Sequence, residues 1–380
     1  MKIGNKKLEK SDMQPDWVKT YLGDEIALLY GRALPKSDRT EGKYPVFGSN
    51  GIVGYHNEAL VKGPGIIIGR KGSCGAVHFS TSDFWPIDTT YYIALRKDHD
   101  WRFMDFFLST FGLNEMNSHS TIPGLNRENV YKLKCHIPRF PEQQKIAAVL
   151  FKIQKAIEIQ ESIIEKTREL KKSTLHHVFT HGLLGEKLKE TEIGPIPESW
   201  SVQRFEEFAT LHRGYDLPIQ DRTGGSVPIV GSNGIVGYHD QSKVKGPGVV
   251  TGRSGSIGIS YYVEVDYWPL NTGLYVEDFH RNDSLYVHYF FQLFDFGQYA
   301  AGVSVPTLNR NIVHATLISV PQIVEQKEIA NILKTIDQKI NLHKVKKSTL
   351  QDLFKTMLNK LMTGEIRVKD LEMELLNFTV

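Results

Sequence analysis

Residues 48–56 read GSNGIVGYH, and residues 231–239 read GSNGIVGYH again, letter for letter, 183 positions later. Sliding the chain against itself by that offset extends the echo without a gap from Trp17/Trp200 to Leu150/Leu333. LPKSDRTEGKYPVFGSNGIVGYH (34–56) faces LPIQDRTGGSVPIVGSNGIVGYH (217–239), and VKGPGIIIGRKGSCG (61–75) faces VKGPGVVTGRSGSIG (244–258). FWPIDT (84–89) faces YWPLNT (267–272), TIPGLNRENV (121–130) faces SVPTLNRNIV (304–313), and IPRFPEQQKIAAVL (137–150) faces VPQIVEQKEIANIL (320–333). A whole domain is duplicated in tandem.

Each copy has one internal order. Short β runs come first, GIIIGR, AVHFS and TYYIALR in one copy and GVVTGR, GISYYVEV and GLYVE in the other, separated by Gly, Pro, Ser and Asp clusters. A short aromatic helix follows, WRFMDFFLSTF against LYVHYFFQLF, with Asp100 and with Asp283 and Ser284 as N-caps, placed to cover one face of the sheet. After a last strand ending at Pro138 or Pro321 the pattern turns to a long helix. In the first, Ile146, Val149, Ile153, Ala156, Gln160, Ile163, Thr167, Leu170 and Val178 recur at alternating threes and fours, with one irregular step near the end. In the second, Ile329, Ile332, Ile336, Ile340, His343, Lys347, Leu350, Leu353, Met357 and Leu361 do the same, the stripe of a coiled coil.

Helices over 142–180 and 325–363 are each about 57 Å long at a rise of 1.5 Å per residue. Such a stripe is too long for its own small domain, so its partner is expected to be the other long helix. With a globular domain between them the chain must come back, which makes the pair antiparallel. KKSTL recurs at 171 and 346, out of step with the main offset, so the register between the helices is approximate. The expected fold class is α+β: two duplicated mixed α/β domains separated by a long antiparallel two-helix coiled coil, related by a pseudo-two-fold axis. The expected boundaries are domain one over 1–140, a helix over 141–182, a linker over 183–199, domain two over 200–323, a helix over 324–364 and a tail over 365–380.

Composition narrows the function. With 41% apolar and 23% charged residues in 380, this is an ordinary globular chain of more than one domain. No run approaches the roughly 18 apolar residues of a membrane span, and the start has no apolar core behind its lysines, so a cytoplasmic protein without a membrane partner is expected. Two cysteines, Cys74 and Cys135, are too few for a disulfide framework and read as core residues. A net charge of +3 permits nucleic-acid binding without demanding it.

Catalytic signatures are missing. Neither glycine-rich stretch supplies a Walker A loop, and glycines 63, 65 and 69 precede a strand where a dinucleotide fingerprint would open a helix. No Pro-Pro pair occurs, so the Asn/Asp-Pro-Pro-aromatic tetrapeptide of an amino-methyltransferase is lacking. His177 and His181 have half the spacing of a zinc site but no matching acidic or Cys partner, and read as a solvated helix face. No carboxylate cluster recurs in both copies. The expectation is a non-enzymatic chain that binds neither cofactor nor metal.

The duplicated loops carry hydrogen-bonding side chains: Ser49, Asn50, His56, Lys62, Arg70, Lys71 and Ser73, with Ser232, Asn233, His239, Lys245, Arg253, Ser254 and Ser256 in the second copy. Such donors beside glycines suit phosphate oxygens and base edges. A structural reading stands beside this one, in which GSNG and GPG are tight turns needing positive φ and the two histidines are core residues. Residues identical in both copies cannot distinguish two target sequences, so they fit positioning. Reading would fall where the copies differ: NEAL (57–60) against DQSK (240–243), AVHFSTSDF (76–84) against ISYYVEVDY (259–267), and GLNEMNSHS (112–120) against DFGQYAAGV (295–303). The candidate readers there are Asn57, His78, Ser80, Asn117, His119, Asp240, Gln241, Tyr261, Tyr262 and Gln298.

With these motifs in view, the whole chain resembles the specificity (S) subunit of type I restriction-modification systems. The likeness rests on PVFGSNGIVGYH and PIVGSNGIVGYH, on KGPGIIIGRKGS and its twin, on EQQKIA and EQKEIA opening the long helices, and on LKETEIGPIPESW leading into domain two. It implies a DNA-binding, non-catalytic subunit whose two target-recognition domains each read half of a bipartite double-stranded site, while the coil sets the gap between halves. It implies two methyltransferase subunits as partners and, in the full complex, two motor/nuclease subunits, with S-adenosylmethionine, ATP and Mg bound by those partners. The same architecture could serve a type II restriction-methylation enzyme, and a coiled-coil adaptor that does not read DNA is the alternative of another class.

Overall fold

The structure, a computed structural model, describes residues 16–116, 124–301 and 306–368. It divides into two compact units, Met1–Gln160 with Lys346–Val380, and Glu161–Val345.

The first unit is built round GIIIG. Strand Gly65–Gly69 pairs antiparallel with Val77–Ser80 on one side and Thr90–Leu95 on the other, and Ile26–Tyr30 completes a four-stranded sheet. Side chains alternate across a strand, so Ile66 and Ile68 face one layer and Ile67 the other. All three are fully buried. Ile66 and Ile68 lie in the main core with Phe103 and Phe107 of the aromatic helix Trp101–Ser109, whereas Ile67 packs with Phe47 and Phe84 on the opposite face. A strand buried on both faces reads as a continuous apolar run, which is what the sequence shows. The expected cap is present: Asp100 accepts from the Phe103 N–H.

The repeated nine residues are the turn and outer arm of a hairpin. Strand Tyr44–Gly48 turns through Ser49 and Asn50 into Gly51–His56, and pairs in parallel with Trp85–Pro86 on its other edge. Gly51 has φ +101° and its twin Gly234 +90°, a backbone conformation open to glycine. GPG behaves differently from GSNG. Its prolines follow cis peptides and its glycines have no positive φ, so the positive-φ expectation holds for the hairpin turn alone.

The second unit repeats this plan: Thr210–Arg213, Gly273–Asp278, Gly248–Gly252 and Ser260–Val263 in one sheet, hairpin Val227–Gly231/Gly234–His239 beside Trp268–Pro269, and an aromatic helix Ser284–Leu293 capped by Asp283. Ser284 is the first helical residue; the capping acceptor is Asp283.

The long helices run Phe140–His181 and Ile323–Met362. In the first unit Ile146, Ala147, Val149 and Leu150 share a core with Leu361 and Met362, so the start of one helix meets the end of the other. In the second unit Val178 and Phe179 share a core with Ile329, Ala330 and Leu333. The pairing is antiparallel within each unit. Two expectations need correction. The helix starts do bury apolar surface against their own domains, and the stripe is not one seam: Leu170, Ile332 and Leu353 are exposed while Ile164 and Leu333 are buried. A helix of 3.6 residues per turn drifts away from a 3.5-residue stripe, so neighbouring positions take over the buried face.

The shared Glu-Gln that opens each long helix is an anchor. Gln143 accepts from the Asp100 N–H at 3.0 Å and donates to the Pro138 carbonyl at 3.0 Å; Gln326 does the same with Asp283 at 2.9 Å and Pro321 at 3.0 Å. Each glutamine thereby ties the long helix to the cap of the aromatic helix. Glu142 receives Arg367 from beyond the second helix, and Glu325 receives the Leu183 N–H and Trp200 Nε1 from beyond the first. The start of the expected tail is therefore docked, with Val368 in the core.

Candidate nucleic-acid interface

In each unit the hairpin turn and the arginine loop converge on one threonine. In the first, Ser49 Oγ and the N–H groups of Arg70 and Lys71 all donate to the Thr89 carbonyl. In the second, the Arg253 and Ser254 N–H groups donate to the Thr272 carbonyl, the Ser232 N–H donates to Thr272 Oγ1, and Ser256 Oγ donates to Asn233 Oδ1. The loop folds back so closely that a Cβ at Gly69 or Gly252 would collide with the carbonyl of Ser73 or Ser256. Ser49, Asn50, Arg70, Lys71 and Ser73 are thus brought onto one surface, as are Ser232, Asn233, Arg253, Ser254 and Ser256.

Both arginines are held alike. The Arg70 guanidinium donates to the Asp88 carbonyl from Nη2 at 2.7 Å and Nε at 3.2 Å, and Arg253 Nη1 donates to the matching Asn271 carbonyl at 3.2 Å. A guanidinium has five N–H groups, so each retains donors for a ligand. Their surroundings differ. Arg70 stands 5.2 Å from the Tyr30 ring centroid and 5.9 Å from that of Tyr91, and Arg127 stands 5.3 Å from Tyr30. Burial first, then the neighbouring Tyr30, pushes the Tyr91 phenol up to about 12, so it stays neutral and donates to the Leu125 carbonyl. In the second unit Arg213 and Leu274 replace Tyr30 and Tyr91, and Arg310, the twin of Arg127, donates to the Leu211 carbonyl.

Other expected site residues lie elsewhere. His56 and His239 are buried, accept the Thr40 and Thr223 N–H groups at Nδ1, and stand edge-on to Trp85 and Trp268. A phosphate contact is expected of them from sequence, but burial gives them the core role. Lys62 and Lys245 are exposed at the end of the central strand remote from the arginine, Lys245 beside Asp266 at 3.5 Å. Among the candidate readers, Ser80 is buried on the Ser82 carbonyl, and Tyr262 packs inward with its hydroxyl 3.3 Å from Ser284 Oγ; neither presents an edge to a ligand. His78 Nε2 is 3.1 Å from the Ser49 carbonyl, and Tyr261 lies under Gly234, so both support the hairpin. Asn57, Asp240, Gln241 and Gln298 are exposed, Asp240 with its carboxyl lowered chiefly by the Thr223 hydroxyl. Asn117 and His119 lie outside the described residues.

Sequence reading passed over Tyr30, Arg127, Arg213 and Arg310. The usable signal was the Leu-Asn-Arg shared by both copies, whose backbone meets the arginine loop through the Leu125 and Leu308 N–H groups. Among the described residues no group of His, Cys, Asp and Glu is arranged to hold a metal ion, and no helix is long and apolar enough to cross a membrane.

The duplication that places this set of donors twice in the chain is also seen by a family model. The type I restriction modification DNA specificity domain aligns with residues 15–168 and again with 197–352. The chain belongs to that family. Similar members of this specificity family include the type I restriction enzyme MjaVIII specificity subunit of Methanocaldococcus jannaschii, 22% identical over 94% of both chains. The EcoprrI specificity subunit of Escherichia coli is 34% identical over 34% of each. Among solved structures, a type I restriction-modification S subunit from M. genitalium has a TM-score of 0.70 at 20% identity, covering 94% of this chain and 98% of its own. A chain of a type I R-M system studied for complex assembly and conformational transition gives 0.58 at 14% identity, covering 94% and 100%. Both share the fold of this chain.

Proposed function

We propose that the two loop surfaces of this type I specificity subunit each engage one half of a bipartite DNA site, that the long helices set the gap between halves, and that methyltransferase subunits dock on the chain. One observation carries the reading: an arginine held on the matching backbone carbonyl beside the hairpin turn occurs in both units, while the groups around it differ. The shared part suits phosphate, which is common to every sequence; Tyr30 with Arg127 against Arg213 with Arg310 suits two unlike half-sites. S-adenosylmethionine belongs in this reading to the methyltransferase, and ATP and Mg to motor/nuclease subunits.

The test is binding of the chain, in complex with its methyltransferase, to duplexes carrying both half-sites or one. Affinity is expected to require both halves and to fall steeply with salt. Full affinity for either half alone contradicts the reading.

A further inference from the structure

One tripeptide stands reversed between the two units. At the repeat offset Tyr30-Gly31-Arg32 faces Arg213-Gly214-Tyr215, the same three residue types with arginine and tyrosine exchanged. The glycine between them is fixed by packing: a Cβ on Gly31 would collide with the Ile87 carbonyl, and one on Gly214 with the Leu270 carbonyl. The backbone beside it is held as well. The Arg32 N–H donates to the Pro86 carbonyl at 2.9 Å, and the Trp85 indole donates to the Arg32 carbonyl at 2.9 Å. The Tyr215 N–H donates to the Pro269 carbonyl at 2.8 Å, and the Asn271 N–H donates to the Tyr215 carbonyl at 3.0 Å. In both units the tripeptide thus flanks the turn, at Thr89 or Thr272, on which the hairpin and the arginine loop converge.

The tyrosine is engaged in each unit, and the arginine is not. Tyr30 carries the guanidinium groups of Arg70 and Arg127 on its ring and lies 5.2 Å from the Tyr91 ring centroid. Tyr215 lies against Tyr275, with ring centroids 6.1 Å and hydroxyls 3.1 Å apart. Arg32 is exposed, and its guanidinium makes no hydrogen bond or ion pair among the described residues. Arg213 is half exposed, and its pairing with Asp216 is loose, 3.7 Å from Nη2 to Oδ1. Each is a free fork of donors on a fixed backbone, the form of side chain that binds guanine through O6 and N7. Their places differ: Arg213 lies in the four-stranded sheet opposite Leu274, whereas Arg32 lies against the Trp85–Pro86 strand beside the hairpin.

We propose that the arginine of this tripeptide is a specificity-determining residue in each unit, Arg32 reading a guanine of the first half-site and Arg213 a guanine of the second. The inference rests on the DNA reading above. Arg70 and Arg253 stand at one position in both copies and suit phosphate, which every sequence offers. Arg32 and Arg213 stand at exchanged positions beside those fixed arginines, so the guanine falls at a different place in each half-site. The tyrosines act through other groups, Tyr30 positioning Arg70 and Arg127.

The experiment is fluorescence anisotropy of the full chain in complex with its methyltransferase, on duplexes carrying the half-sites that methylation mapping returns. One guanine at a time is replaced by 7-deazaguanine, which lacks the N7 acceptor. Wild type is expected to lose about fivefold or more at one guanine in each half. Arg32→Ala should bind modified and unmodified first half-sites alike while keeping the loss in the second, and Arg213→Ala should do the reverse. Arg70→Ala should keep both losses, and unchanged melting temperatures exclude misfolding. Arg32→Ala weakening every duplex equally, including one with neither half-site, marks a phosphate contact and overturns the proposal. A wild type indifferent to 7-deazaguanine at every position also overturns it, whereas a wild-type complex that does not require both halves contradicts the DNA reading itself.

Discussion

Glu142 and Arg367 meet in a two-point pair, Nε to Oε1 at 2.6 Å and Nη2 to Oε2 at 2.8 Å. The pair joins the first turn of one long helix to the segment just past the end of the other, and Arg367 is only 8% exposed. Arg367→Ala leaves a carboxylate in a largely covered place. The expected loss is about 3 kcal/mol, the scale for removing one partner of a buried pair. Urea unfolding of the full chain measures it, and Glu325→Ala, which strips the acceptor from Leu183 and Trp200, is expected to cost a similar amount.

Glu25 predicts a change on the acid side. Burial alone would push its carboxyl up, but hydrogen bonds from Lys97, Thr20 and His99 outweigh burial and hold it below its ordinary value. The unfolded chain then takes up this proton first as pH falls, so the contribution is whole above about pH 4.3 and fades below it. Melting temperature followed from pH 6 to pH 3 should drop less steeply in Glu25→Gln than in wild type.

Asp105 predicts the opposite sign. Burial pushes its carboxyl up to about 6, above the ordinary aspartate range, so the folded chain holds the proton more tightly and stability is lost as pH rises through that value. Asp105→Asn is expected to stabilise at pH 8 by up to about 3 kcal/mol, and to change little at pH 3. Denaturant unfolding at the two pH values checks both halves of this.

The duplication, the aromatic helices with their aspartate caps and the long helices were legible because each rests on local pattern: a 183-residue echo, a capping residue, a stripe of threes and fours. The arms of the hairpin were not, because Ile52, Val53 and Tyr55 are exposed on an outer strand and break the inside-outside alternation that marks one. The site was half legible. Arg70, Lys71 and Ser49 stand out as donors among glycines, but Tyr30 and Arg127 join Arg70 only through strand pairing and a segment far along the chain. His56 and Ser80 read as surface donors because composition cannot tell a buried polar group from an exposed one; Thr40 and Ser82 satisfy them inside.

The arginine loops predict a division of labour on DNA. Arg70→Ala with Arg253→Ala should weaken binding to all sequences alike and lower the salt slope by about 0.9 for each phosphate no longer neutralised. Tyr30→Ala should act on the first half-site and leave dependence on the second unchanged. Fluorescence anisotropy with duplexes altered in one half at a time separates the two effects.

Methylation mapping of genomic DNA, in cells carrying the methyltransferase with and without this chain, tests the central claim most directly. The predicted result is modification that appears only with the chain, at sites made of two unlike half-sites separated by a fixed gap. Modification independent of the chain, or at a single continuous site, would contradict it.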